Sequence, residues 1–264
     1  DGIINTDVTP IIDAYGSGIQ DLAGNYDNSS FFIASVDKAP AVITGVTTSD
    51  QDGDGYIDLL TATFNEALGG ILDSGQFAVD VLPDPITGVV DGTSGDTSVN
   101  IELNDGQLTT DQTPALTVNA GALDDAAGNP NVNQAGETAI DTAGPAILSA
   151  VANDGTNILV GIDSDDYVRI TFSEATNAPV IDSSNVDLIF DLSGDHSWLS
   201  GDSVTPEITG ATWNSPSELD IFLSLFGGAP DVAEGDEVTL VGDNIWDTAA
   251  GNPSSTADIN PQIT

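Results

Sequence analysis

Short runs in which apolar and polar residues alternate follow one another along most of the chain. Residues 60–64 read LTATF and residues 168–172 read VRITF, so every second residue is apolar and those between are polar. Alternation with a period of two predicts β-strands that bury one face. Turn signals such as Asp-Gly and Gly-Gly separate the runs. Further runs of this kind are QFAVDVL, TSVNIEL, PALTVNA, VDLIFDL, ELDIFLSL and DEVTLVG.

The chain also aligns with itself. Residues 9–25, TPIIDAYGSGIQDLAGN, match residues 113–129, TPALTVNAGALDDAAGN, at a constant offset of 104 without a gap, and a third copy of the ending, DTAAGNP, closes at Pro253. A second block, DLLTATFNEAL at 58–68, matches DYVRITFSEAT at 166–176. Internal repetition at this period indicates a repeat architecture. It predicts a repeat one over residues 38–141 and a repeat two over residues 142–258.

The two ends of the chain match only parts of a unit. Residues 1–37 align with the last quarter, so we expect them to be the C-terminal part of a preceding Ig-like repeat. Residues 259–264 are expected to be the start of a following repeat or a tail. A fragment of this size cannot bury its own apolar face. Its missing strands therefore come either from a longer protein or from a neighbouring chain, and the first is the simpler expectation.

The number of strands predicts the fold class. About seven short strands in roughly 105 to 115 residues are typical of an immunoglobulin-like sandwich. Thr, Val, Ile and Gly are abundant while Lys, Arg, Glu and Met are scarce, which disfavours exposed helices. We therefore predict an all-β protein of tandem immunoglobulin-like β-sandwiches.

Charge limits the possible partners. The chain has 43 acidic residues against only Lys38 and Arg169, for a formal charge of −41. A protein that binds nucleic acid or an anionic membrane needs clustered positive charge, so both partners are excluded, and no apolar run is long enough for membrane insertion. Asp outnumbers Glu by 35 to 8, and Asp is a turn former and a ligand of hard cations. Without any Cys, a metal is the candidate staple, and Ca²⁺ fits the excess of Asp.

The order of motifs resembles a known class of proteins. A D-x-x-P linker ending at Pro40, an Asp-rich turn, a T-F-x-E strand end and a closing D-x-x-G-N-P resemble bacterial and archaeal immunoglobulin-like repeats of surface-layer proteins, adhesins and other exported multi-repeat proteins. The resemblance covers nearly the whole chain. It implies a tandem extracellular module at the cell surface, and it leaves a lattice, a filament and an adhesin stalk as alternatives.

Following the strands up and down each sandwich predicts two groups of oxygen donors at the poles of the repeats. The linker, the end of the T-F-x-E strand and the D-x-x-G-N loop all reach the same pole, and the turn at 49–56 of repeat one faces the second junction. Calcium takes roughly six to eight oxygens, which such groups could supply, whereas the alternative is that they only cap turns. The first group is Asp37, Glu66, Asp125 and Asn129, and the second is Asp141, Glu174, Asp247 and Asn252.

The turn SDQDGDGYID predicts a separate calcium site. Its donors follow the spacing of an EF-hand loop, but position 12 is Thr61, so the bidentate Glu is missing and the flanks are strands. The alternative is a Gly-rich hairpin with exposed carboxylates. Repeat two has Asp163, Asp165 and Asp166 in the corresponding region without the glycines, which is a weaker candidate. The donors of the first loop are Asp50, Asp52, Asp54, the Tyr56 carbonyl and Asp58.

Enzymatic activity has little support in the sequence. His196 stands alone in a polar insertion, and no nucleophile motif or phosphate loop occurs, so we expect no enzyme. Trp198, Trp213 and Trp246 could form a platform for sugars, although the last two lie in strand-like runs that favour the core. Asn28 begins the only glycosylation sequon, so a glycan is possible there.

These features together predict an extracellular structural protein built of calcium-rigidified repeats, such as a surface layer, a filament or a stalk. Its partners would be copies of itself or other surface proteins. The alternatives are an adhesin or carbohydrate-binding module, which needs an exposed aromatic patch, and an accessory region of an exported hydrolase, which needs a catalytic domain elsewhere.

Overall fold

A computed structural model describes the chain in ten parts: residues 9, 11–14, 20–26, 31–80, 85–156, 161–163, 165–199, 208–223, 231–254 and 260–264. The described chain is nearly all β, as predicted. Its α-helix is a single turn, α1 (Val186–Ile189), and short 3₁₀ turns lie at Ser74–Gln76 and Ser193–Asp195. Among the described residues no helix is long and apolar enough to span a membrane. The sequon at Asn28 lies outside the described residues.

Seventeen strands make up the described fold. Those up to residue 138 are β1 (Ile11–Ala14), β2 (Phe31–Ala34), β3 (Ile43–Ser49), β4 (Leu59–Phe64), β5 (Leu68–Ile71), β6 (Phe77–Val79), β7 (Ile86–Asp91), β8 (Ser98–Leu103), β9 (Ala115–Val118), β10 (Leu123–Asp125) and β11 (Gln134–Thr138). The remaining strands are β12 (Ile147–Asn153), β13 (Tyr167–Phe172), β14 (Phe190–Leu192), β15 (Ile208–Ser215), β16 (Glu218–Leu223) and β17 (Val238–Leu240).

The first hydrophobic core is enclosed by antiparallel strands from residues 41–139. A four-stranded sheet of order β3-β4-β8-β7 contributes one side, and the sheets β11-β9-β6 and β10-β5 contribute the other strands. Along β4 the side chains of Leu60, Ala62 and Phe64 are buried, while Thr61 and Thr63 are not. The alternation predicted for this strand is therefore confirmed, because its apolar face is the one that lines the core.

The second core repeats this arrangement with a four-stranded sheet of order β12-β13-β16-β15 and the pair β14-β17. Val168, Ile170 and Phe172 of β13 point into it, as their spacing predicts. The end of the described chain belongs to this core, since Ile263 is 1 % exposed and lies opposite Ala150 in a parallel bridge. Residues 260–264 thus extend the second sheet in the described structure.

Two local expectations from the sequence are wrong. The run VDLIFDL was predicted as a strand, but its first four residues form α1 and only its end forms β14. Val186 and Ile189 are both buried and lie three residues apart, so this short apolar run fits the period of a helix as well as that of a strand. The Val186 N–H donates to the Asp182 carbonyl, and this hydrogen bond favours the helical turn. Trp246 was assigned to the core but is 43 % exposed.

Two of the three basic side chains of the chain, Arg169 and His196, are bound to carboxylates within repeat two. Arg169 on β13 donates to both oxygens of Asp220 on β16, at 2.7 and 2.9 Å, and Asp220 is only 5 % exposed. The His196 Nδ1 atom lies 2.7 Å from the buried Asp236, and this hydrogen bond raises the pKa of the imidazole above its usual value. Both contacts hold one element of repeat two to another.

Candidate metal centres

The D-x-x-G-N loop holds its aspartate in a fixed place. Asp125 Oδ1 accepts hydrogen bonds from the backbone N–H groups of Ala127 and Asn129, at 2.9 and 2.8 Å. The Asn129 side-chain amide donates to the other oxygen of Asp125 at 2.8 Å. Asp and Asn commonly close turns in this way, which is why the sequence folds so here. The same three bonds recur at Asp21 and Asn25, as the alignment of the two segments implies.

The first candidate centre joins a linker, a strand end and this loop. Asp37, Glu66 and Asp125 each offer a carboxylate oxygen within 4.8 Å of the others. Glu66 is 3 % exposed and Asp125 is 1 % exposed. Asn129 was predicted as a fourth donor, and the structure shows its amide nitrogen bonded to Asp125. This hydrogen bond positions the Asp125 carboxylate and uses the amide nitrogen of Asn129, not its oxygen.

The second candidate centre has the same composition. Asp141, Glu174 and Asp247 each offer an oxygen within 4.8 Å of the others. Glu174 is 5 % exposed, and its Oε1 atom is buried without a hydrogen-bond partner. The Asn252 amide donates to the backbone carbonyls of Asp141 at 3.3 Å and Ala143 at 3.1 Å, so it ties the loop to the linker. A buried carboxylate oxygen with no hydrogen-bond partner is costly unless a proton or a cation neutralises the carboxylate.

The electrostatics of the second centre reflect three acids placed together. Burial raises the pKa of Glu174 to about 8, and the charges of Asp141 and Asp247 act in the same direction. Burial and the charge of Asp247 also raise the pKa of Asp141. Burial alone would raise the pKa of Asp247, but the backbone N–H groups of its loop outweigh it and hold that pKa below the usual value. A cation would relieve the repulsion directly.

The second centre lies against the preceding part of the chain. The Thr110 hydroxyl lies 2.7 Å from the hydroxyl of Ser173, the residue before Glu174, and both atoms are buried. The Thr142 N–H donates to the Thr48 hydroxyl at 3.0 Å. Gly55, in the Asp-rich turn, packs on Leu148 and Ser173 so closely that a Cβ there would lie 2.6 Å from Leu148 Cδ2. The turn therefore faces the second junction, as the strand order predicts.

The Asp-rich turn itself brings together two overlapping groups of carboxylates. Asp50, Asp52 and Asp58 form one group with oxygens within 4.8 Å of one another. Asp52 and Asp54 form the other group together with Asp105, a residue from the loop between β8 and β9. Sequence reasoning missed Asp105 because it lies in an Asn-Asp-Gly turn far along the chain, which is typical of an ordinary hairpin.

Backbone groups already satisfy part of this turn. Asp50 accepts from the N–H groups of Gly53 at 2.7 Å and Gly55 at 2.9 Å, and Asp54 accepts from Tyr56 at 3.0 Å. Burial raises the pKa of Asp50 and the pKa of Asp54 to about 6. Tyr56 and Thr109 form an isolated β-bridge. Its hydrogen bonds are made by the Ile57 N–H and the Gly55 carbonyl, so the bridge does not involve the Tyr56 carbonyl that was predicted as a calcium donor.

Replacing Asp52 and Asp54 together by Asn tests whether this turn binds calcium. Asn keeps the turn propensity and the side-chain acceptor. The change removes one charge from the group of Asp50, Asp52 and Asp58, and two charges from the group that contains Asp105. We expect calorimetry to show one calcium site lost or weakened about tenfold or more, because ligand charge sets calcium affinity. The control is the pair Asp191→Asn and Asp243→Asn, both exposed and outside the turn. Unchanged stoichiometry and affinity would leave the turn as a structural hairpin.

The tryptophans do not form a common binding surface. Trp198 is fully buried and donates to the Phe190 carbonyl, while Trp213 stacks on Phe172 at 5.5 Å. Trp246 is the exposed member, and it forms a β-bridge with Pro253 at the end of the loop DTAAGNP. A sugar platform made of all three is therefore absent.

In comparisons with known proteins, no family model, no curated protein and no solved structure matches this chain. Any statement about its function consequently depends on the geometry described above.

Proposed function

We propose that this chain is part of an extracellular structural protein in which Ca²⁺ stiffens the junctions between tandem immunoglobulin-like sandwiches. The observation that carries the proposal is the second centre. Asp141 lies between the two cores, Glu174 and Asp247 belong to the following core, and a buried Glu174 oxygen has no hydrogen-bond partner. One cation bound there would join the linker to the domain that follows it.

Calcium suits this donor set better than other cations. The donors are carboxylate oxygens, with backbone carbonyls and water available to complete six to eight ligands. Zinc would favour His or Cys ligands, and the chain has one His and no Cys. Burying two or three carboxylates in their charged form requires a cation. The one Arg of repeat two, Arg169, already binds Asp220, so that cation comes from solution.

The same chemistry supports an extracellular location as part of this proposal. Centres of this kind in extracellular modules bind calcium at about 10⁻⁴ to 10⁻³ M, a concentration found outside cells and not in the resting cytosol. The excess of Asp and the absence of Cys fit a protein that uses calcium in place of disulfides. The resulting rod would hold successive repeats in line and present their faces to copies of itself or to other surface proteins, as in a surface layer, a filament or a stalk.

Titration with Ca²⁺ tests the proposal at its central residue. Glu174→Gln keeps the size of the side chain but removes the charge that a cation needs, so calorimetry should show one calcium site lost or weakened about tenfold or more. The matched control is Glu234→Gln, which removes one charge from an exposed turn of the same repeat and should bind as wild type does. If Glu174→Gln and wild type bind the same number of ions with equal affinity, calcium does not occupy this junction.

A further inference from the structure

A third group of carboxylates lies at the mouth of the hairpin formed by β12 and β13. The last pair of that hairpin is Asn153 and Tyr167, so Asp154 and Asp166 are the first residues beyond it on the two strands. The returning chain adds Asp163. These three acids each offer an oxygen within 4.8 Å of the others, although they span thirteen residues of sequence.

Two of the three carboxylates are buried and only half satisfied. Asp163 and Asp166 are each 8 % exposed. The Asp163 N–H donates to Asp166 Oδ2 at 2.7 Å, and the Asp165 N–H donates to Asp163 Oδ1 at 3.3 Å. The remaining atoms, Asp163 Oδ2 and Asp166 Oδ1, are buried without a hydrogen-bond partner. Each such atom is destabilising unless a proton, water or a cation from solution binds it.

No basic side chain of the chain is available for these oxygens. The whole sequence has one Lys, one Arg and one His. Arg169 is bound to Asp220 and His196 to Asp236, while Lys38 is exposed in the linker before the first core. Neutralisation must therefore come from solution.

The backbone around the group is held in place by other contacts. The Asp166 carbonyl accepts from the Leu223 N–H at 2.8 Å, which fixes it to the end of β16. Asp165 Oδ2 accepts from the N–H and the hydroxyl of Thr156, at 2.7 and 2.6 Å. Gly155 lies so near this segment that a Cβ would be 2.3 Å from the Asp165 carbonyl oxygen. The loop that carries Asp154 is thus attached to the segment that carries the other two acids.

The first core has a group in the same position. Its hairpin of β3 and β4 ends at the pair Ser49 and Leu59, so Asp50 and Asp58 occupy the places that Asp154 and Asp166 occupy here. The D-x-D-x-D-G spacing of the first loop is missing from the second. Folding nevertheless brings a third carboxylate, Asp163, to the same location from a longer loop.

We propose that Asp154, Asp163 and Asp166 bind one Ca²⁺ ion that closes the mouth of this hairpin. Three carboxylates and nearby carbonyl oxygens or water match the hard, oxygen-only coordination of calcium. The two buried oxygens without partners are the direct ligands, and Asp154 completes the group from the opposite strand. This site lies away from the junction, so it stands or falls independently of the function proposed above.

Calcium binding to the double variant Asp163→Asn and Asp166→Asn tests this site. Asn keeps an oxygen for each backbone N–H donor, so the fold is retained, and in EGTA the variant should be at least as stable as wild type because two repelling charges are gone. We expect calorimetry to find one fewer calcium ion per chain, or one site weakened about tenfold or more. The control pair Asp191→Asn and Asp243→Asn should bind as wild type does.

A local measurement separates this site from the others. In wild type, Ca²⁺ should slow amide hydrogen exchange at Asp163 and Asp165, followed by NMR, and in the double variant it should not. Glu174→Gln, which alters only the junction, should leave that calcium-dependent protection intact. The proposal is overturned if wild type and double variant bind the same number of calcium ions with equal affinity. It is also overturned if hydrogen exchange at these amides in wild type is the same with and without Ca²⁺.

Discussion

Adding millimolar Ca²⁺ to the metal-free protein is expected to raise its melting temperature by about 10 °C or more. A ligand that binds only the folded state adds about 2.7 kcal/mol at a hundred times its dissociation constant. For a domain of about 100 residues, each 1 kcal/mol corresponds to roughly 4–8 °C. Repeat one carries 17 acidic residues against one Lys, and repeat two carries 20 against one Arg, so the bound ion also relieves repulsion.

The measurement is calorimetric or optical melting in EGTA and in Ca²⁺. Sodium chloride at matched ionic strength is the control for simple screening of charge, because screening alone acts on all exposed acids. Melting curves that coincide in EGTA and in Ca²⁺ would contradict the calcium proposal as a whole.

Metal-free protein should also lose stability as the pH rises from about 5 to 8. Folded Glu174 has a pKa of about 8 against an ordinary value of 4.5. Asp50 and Asp54 have pKa values of about 6 against 3.8. At a pH between the ordinary and the raised pKa of each group, the folded state binds more protons than the unfolded state. The stability that the protonated group gives is therefore fully present below the ordinary pKa and is lost as the pH rises through the raised pKa.

Calcium should remove this loss, because it binds the charged form of the same carboxylates. In EGTA, Glu174→Gln should flatten the decline between pH 6 and 8, since Gln has no proton to release, and Glu234→Gln should leave the decline unchanged. Urea unfolding at a series of pH values measures the effect. Stability in EGTA that rises over this range would mean that these carboxylates are not buried together as described.

Much of this arrangement could be predicted from the sequence because a β-strand has a simple period and a direction. The alternation in LTATF fixed which face of β4 lines the core, and the direction of each strand placed Glu66 and Asp125 at the same pole. The same reasoning brought Glu174 beside Asp247 although they are far apart in sequence. Where an acid lies at the end of a regular strand, the direction of that strand was enough to predict its position.

Other contacts could not be predicted, because they depend on loops and on side chains that sequence patterns treat as ordinary. Asp105 joins the Asp-rich turn from a separate hairpin, and Asp154 joins Asp166 through the register of β12 and β13. The hydroxyl contact between Thr110 and Ser173 depends on how the two cores meet. In VDLIFDL the spacing of apolar residues fits a strand and a helical turn equally well. The hydrogen bond from the Val186 N–H to the Asp182 carbonyl favours the helical turn.

Removing calcium is expected to loosen the junction between the two cores. Asp141 lies in the linker, while Glu174 and Asp247 belong to the following core, so a cation held by all three fixes the orientation of that core. Without it, the linker Asp141-Thr142-Ala143-Gly144-Pro145 retains its contacts to Thr48, but three carboxylates repel one another at its start. Small-angle scattering in EGTA should show a shorter maximum dimension and a broader distribution of distances than in Ca²⁺.

Glu174→Gln in Ca²⁺ should scatter like wild type in EGTA, and Glu234→Gln should scatter like wild type in Ca²⁺. Direct packing is the competing explanation of a stiff junction, and Gly55→Ala isolates it. The added Cβ would meet Leu148 Cδ2 at 2.6 Å and Ser173 Cβ at 2.9 Å, and the φ of +93° already disfavours Ala. If Gly55→Ala loosens the junction while wild type scatters identically with and without Ca²⁺, packing alone holds the two cores, and the proposed mechanical role of calcium is wrong.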